Sequence, residues 1–115
     1  MTIKQLYSKL FIGGKWHVGY RTLNAETPYE IVETPQKTWI ADPFLFEHKG
    51  EHYLFVEIYD ELAEKAGIGY YHFENGVPKY KGVIISNPYH MSYPCVFVYK
   101  DNIYMIPETS GNNTI

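Results

Sequence analysis

A single cysteine, Cys95, stands in the 115 residues, so an intramolecular disulfide is excluded. Its apolar neighbours, SYPCVFVY, lead one to expect a buried, inert thiol. Extended apolar stretches are equally scarce. Lys9 and Lys15 bracket only LFIGG, too little for a secretory core, and nothing approaches the roughly 20 residues a membrane-spanning helix needs. A cytoplasmic location is the expectation, under which the Asn112-Asn113-Thr114 sequon stays unmodified. Ten Lys and Arg against thirteen Asp and Glu leave a formal net charge of −3, and the basic residues are dispersed. That distribution argues against nucleic acid or an anionic membrane as partner. No serine sits in a nucleophile elbow, and GIGYY lacks the third glycine and following helix of a phosphate loop. The five histidines (His17, His48, His52, His72 and His90) show no metal-ligand spacing, so neither metal nor cofactor is expected.

What the chain has is aromatic, β-forming sequence: 17% Phe, Trp and Tyr, with twelve tyrosines, and scattered Gly and Pro that read as turns. Lys15 to Thr22 and Tyr29 to Glu33 read as strands. Pro43 to Phe46 and His52 to Ile58 form a hairpin about Lys49-Gly50. Glu61 to Ala66 has the propensity for a single helical turn in a loop. Ile68 to Phe73 and Tyr80 to Ser86 flank Asn75-Gly76, the strongest hairpin signal in the chain. Pro94 to Tyr99 and Asn102 to Ile106 follow, joined at Lys100-Asp101.

The strands repeat. Residues 41–60 (ADPFLFEHKGEHYLFVEIYD) lie over residues 92–111 (SYPCVFVYKDNIYMIPETSG) without a gap, 51 positions apart, with five identities: Pro43/Pro94, Phe46/Phe97, Lys49/Lys100, Tyr53/Tyr104 and Glu57/Glu108. A strand-and-turn unit of this length suits the blade of a β-propeller. The expected fold is all-β, a partial propeller with one complete four-stranded blade (36–86), N-terminal strands (1–35) and an incomplete second blade (87–115). The chain is thus read as a piece of a longer protein. Phe44, Phe46, Tyr53, Phe55, Val96, Phe97, Tyr104 and Ile106 alternate along their strands and are the expected core. The last strand is expected to leave an edge open to self-association.

An even-numbered loop at Lys49-Gly50 sets Asp42 opposite Glu57, and the same register sets Tyr93 opposite Glu108. Like charges directly opposed destabilise a sheet unless one carboxyl takes a proton or a cation is recruited. Asp42 and Glu57 therefore become candidate site residues, at a strand end that would be an acidic channel mouth in a propeller. The competing reading makes them solvated, or paired with a structural cation such as Arg21. Trp39, three residues before Asp42, suits a sugar-stacking platform or an inter-sheet contact. His90 aligns with Trp39, and Tyr93 and Glu108 complete the candidate ligand-binding set.

The segments WIADPFLF, SYPCVF and IPETS resemble the five-bladed propellers of glycoside hydrolase family 43. More closely, residues 37–111 resemble the N-terminal propeller of plant glucosamine inositolphosphorylceramide transferases and of similar bacterial proteins, some joined to a formyltransferase-like domain. The first resemblance implies that Asp42 matches a catalytic base. Tyr93 stands where those hydrolases usually present a second Asp, and their general acid would lie after Ile115. Inverting hydrolysis needs carboxyls roughly 6.5 to 9.5 Å apart, wider than hairpin neighbours. The expectation is a carbohydrate-binding propeller segment, inactive in isolation, partnered by further blades and a transferase domain. The alternatives are a family-43-type hydrolase with Asp42 as base, and a non-catalytic protein-interaction scaffold.

Overall fold

A computed structural model describes residues 3–12, 14–22, 26–86 and 91–109, with side chains from residue 14 onward. Among these residues there are strands and turns and no helix. β1 (Ile3–Ile12), β2 (Lys15–Thr22) and β3 (Glu30–Ile31) form one antiparallel sheet. β4 (Thr38–His48), β5 (Glu51–Asp60), β6 (Lys65–Glu74) and β7 (Val77–Ile85) form a four-stranded meander, and β8 (Ser92–Tyr99) pairs with β9 (Asn102–Glu108).

Three hairpins close on two-residue turns whose central residues both take positive φ: Lys49 and Gly50 (51° and 78°), Asn75 and Gly76 (51° and 83°), Lys100 and Asp101 (50° and 64°). This is the type I′ geometry, whose twist matches that of the flanking strands. Asn and Gly enter it readily; Lys100-Asp101 does so without a glycine, at some backbone cost.

Alternation then decides which side chains are buried. On β5, Leu54, Val56 and Ile58 point to one face and meet Val18 and Tyr20 of β2 and Val32, just after β3, with Ile40, Tyr71 and Phe73 completing the cluster. The buried Tyr71 hydroxyl donates to the Glu33 carbonyl at 2.7 Å, so its polar atom is satisfied. The opposite face of the meander carries Tyr53, Phe55, Glu57 and Tyr59. Against it lies β8, which turns Ser92, Pro94 and Val96 inward. Between these two sheets is an apolar cleft of about 420 Å³, lined in part by Phe46, Tyr53, Phe55, Tyr70 and Tyr104.

Several expectations are corrected. The helix-like turn expected over Glu61 to Ala66 is shorter: residues 61–64 form one turn closed by the Glu64 N–H on the Asp60 carbonyl at 2.8 Å and capped by Asp60, whose Oδ1 accepts from the Leu62 and Ala63 amides, and β6 already starts at Lys65. Cys95 is exposed, because β8 buries Ser92, Pro94 and Val96 and Cys95 lies on the outer face with Tyr93 and Phe97. Of the alternating set expected as core, Val96 alone is fully buried; Phe97, Tyr104 and Ile106 are exposed, while Phe46, Tyr53 and Phe55 half-line the cleft. The dominant core uses the aliphatic face of β5 instead. β1, unassigned in the sequence, pairs with β2. The strand expected at Tyr29 to Glu33 shrinks to Glu30–Ile31.

Candidate functional site

The expected register holds from the turn outward, Phe44 opposite Phe55 through His48 opposite Glu51, and then slips. Ala41, not Asp42, faces Glu57, so Asp42 and Pro43 together oppose Val56 as a β-bulge. Pro43 has no N–H to give to the ladder, which favours a break in pairing there. Asp42 takes φ 51°, a left-handed conformation that Asp tolerates better than most residues. The second copy does the same. Ser92, not Tyr93, faces Glu108; Cys95 faces Ile106, and Tyr93, with φ 48°, precedes Pro94 in the bulge. The direct pairings Asp42/Glu57 and Tyr93/Glu108 are thus corrected, and the signal that could have shown the slip was the proline shared by both copies.

The bulge does not separate the two acids. Glu57 is 5% exposed, between Ala41 on β4 and Ile68 on β6, and its carboxyl is hydrogen-bonded to that of Asp42. Burial first, then this hydrogen bond and the charge of Asp42, push the Glu57 pKa up to about 8. Asp42 itself is half-buried.

Trp39 and Tyr59 stand opposite each other on the face that carries Glu57, their rings stacked at 4.8 Å. One face of Trp39 is therefore covered by Tyr59, a neighbour that sequence reasoning missed because the slipped register was needed to find it. Tyr93 is 58% exposed and occupies on β8 the position that Asp42 occupies on β4. Glu108 is exposed on β9. His90 lies outside the described residues. Arg21, considered as a partner for the acids, lies over the Tyr29 ring, 4.4 Å from its centroid. Among the described residues no group of three or more His, Cys, Asp and Glu is arranged to hold a metal ion.

The arrangement gathers Asp42, backed by Glu57, with Tyr93, Trp39 and Tyr59 on adjoining strands. A carboxylate accepts hydrogen bonds from hydroxyls, a phenol both donates and accepts, and aromatic faces suit the C–H side of a sugar ring. The set belongs to an all-β domain of antiparallel sheets, with Asp42 and Tyr93 at equivalent bulges near two strand ends. The chain belongs to the family described as glucosamine inositolphosphorylceramide transferase 1, N-terminal, which residues 14–115 match. Glucosamine inositolphosphorylceramide transferase 1 of Oryza sativa subsp. indica is 32% identical over 95 residues, covering 81% of this chain and 12% of the relative. The Arabidopsis thaliana protein of that name is 31% identical over 74 residues, covering 63% of this chain and 10% of its own length. The chain thus spans about an eighth of the length of the curated rice relative it matches. No solved structure matches it.

Proposed function

We propose that this chain is the carbohydrate-binding part of a sugar-modifying, transferase-type protein, and that its stacked sheets are consecutive blades of a five-bladed propeller. The observation that carries the reading is the repeated bulge: two adjacent inner strands, β4 and β8, each project one polar residue, Asp42 or Tyr93, from the same ladder position through the same left-handed backbone. Strain repeated at equivalent sites is a mark of function more often than of packing. The relatives' names supply the chemical class of ligand, a sugar of the glucosamine type.

A titration of the chain with N-acetylglucosamine, followed by calorimetry, tests this reading. Binding should weaken about tenfold or more in Asp42→Asn, which keeps the left-handed backbone but loses the charge-assisted acceptor. Equal affinity in wild type and variant would contradict it. The acid pair also favours a second reading, a glycoside hydrolase with Asp42 as base. Two carboxyls bonded to each other leave no place for the attacking water between them, so the 115-residue chain is expected to release nothing from chromogenic glycosides. Turnover abolished by Asp42→Asn would establish the hydrolase instead. Binding of neither sugar nor glycoside would leave the scaffold reading in place of both.

A further inference from the structure

We infer that Glu57 is a proton-bearing positioning residue for Asp42: its carboxyl O–H donates to the Asp42 carboxylate, fixing that group on the bulge while leaving its charge to the ligand. This inference rests on the reading of Asp42 as a ligand-contacting residue. The bulge sets Asp42 next to Ala41, the ladder partner of the enclosed Glu57, and two carboxylates brought together there are acceptors only, so contact between them requires one proton shared by the pair. Burial decides who holds it. Glu57 is enclosed, with Ala41 and Ile68 beside it on the ladder, whereas Asp42 is only half-buried on an irregular strand. The desolvation penalty for charge therefore falls on Glu57.

The neighbours reinforce this. β4 brings Asp42, β6 brings Ile68, and β8, packed over this face, turns Ser92 inward and carries Tyr93 on its bulge. Tyr59 lies two residues along β5 itself. Asp42 is the acid among these neighbours, and its charge opposes ionisation of Glu57. The bulge makes the arrangement workable, because it moves Asp42 out of the ladder row while leaving its carboxyl within reach of Glu57. A regular strand would have set the two acids face to face in the same row.

Loss of the proton removes the donor and sets two negative charges against each other, so Asp42 should lose its fixed position as pH rises. The test is a pH series of N-acetylglucosamine titrations, a sugar without a titrating group of its own, on wild type and Glu57→Gln. Wild-type affinity should hold between about pH 6 and 7 and fall roughly tenfold by about pH 9. Glu57→Gln, which keeps a donor but cannot ionise, should bind within about threefold of wild type at neutral pH and lose the fall. Parallel profiles in the two proteins would overturn the inference. The second measurement needs no ligand and no variant: the 13C shift of the Glu57 side-chain carboxyl should report a neutral acid at neutral pH. An ionised Glu57 there overturns the proposal whatever the sugar does. A neutral Glu57 in a protein that binds no sugar supports the proton assignment and refutes only the role given to Asp42.

Discussion

Asp42 carries a left-handed backbone one residue before a proline, in a context where most residues would be extended. Pro43 has no N–H for the ladder, and the acid next to the bulge, Glu57, is paired with Ala41. The two acids, Asp42 and Glu57, set a pH dependence of folding. Glu57 takes up its proton more readily in the folded chain than in the unfolded one, where its pKa is about 4.5 against about 8 when folded. The stabilisation from this proton is complete below the unfolded pKa and is lost as pH rises through the folded one. Stability should therefore decline between those values, with a slope of at most about 1.4 kcal/mol per pH unit. Denaturation midpoints measured across that range should fall for wild type and flatten for Glu57→Gln; a flat wild-type profile would show that Glu57 is ionised when folded. Packing gives a second test at this scale. Leu54, fully buried in the main cluster, should cost about 2 to 5 kcal/mol when changed to Ala, and Phe46→Ala, on the open cleft, clearly less. Urea denaturation of both variants checks the order, and the reverse order would put the core on the other face of β5.

The hairpins show how far local sequence determines an element. Asn75-Gly76 and Lys49-Gly50 were legible because a type I′ turn has few chemical solutions, and the four strands of the meander followed from the alternating runs between turns. The bulges were not legible from alternation, since a slip at the end of a strand leaves the rest of the pattern intact; only Pro43 and Pro94 hinted at it. The core face was misread because aromatic alternation at Phe44, Phe46, Tyr53 and Phe55 looks like a core, while Leu54, Val56 and Ile58 look alike to a period-two reading until a second sheet is placed on them. β1 gave no strand signal because Lys4 and Lys9 interrupt it. Glycine at β6 has its own reason: a Cβ on Gly67 would meet the Ile85 carbonyl oxygen of β7 at 2.6 Å. Gly67→Ala should force β6 and β7 apart and cost about 1 to 3 kcal/mol, with amide exchange rising first in β7; unchanged stability would mean that β7 can shift freely.

The sheets form a sequential stack, the first against the aliphatic face of the meander and β8–β9 against its aromatic face. In the first copy, Phe46, Tyr53 and Phe55 look toward the next sheet. Their counterparts Phe97, Tyr104 and Ile106 are exposed, Phe97 and Tyr104 stacked on each other at 5.7 Å. Among the described residues this face is uncovered and β9 is a sheet edge, an arrangement that promotes association. Sedimentation of the 115-residue chain should show concentration-dependent oligomers that Ile106→Lys reduces without loss of β-sheet signal; a wild-type monomer at all concentrations would show that the face tolerates water.

The most direct test of the bulge as a ligand site is an amide chemical-shift map of the labelled chain with N-acetylglucosamine added. Perturbations concentrated at Ala41, Asp42, Glu57, Ser92 and Tyr93 are expected, because those positions surround the two bulges. Perturbations confined to the cleft around Phe46, Tyr53 and Phe55, with the bulge residues unmoved, would contradict the assignment of recognition to the strand ends.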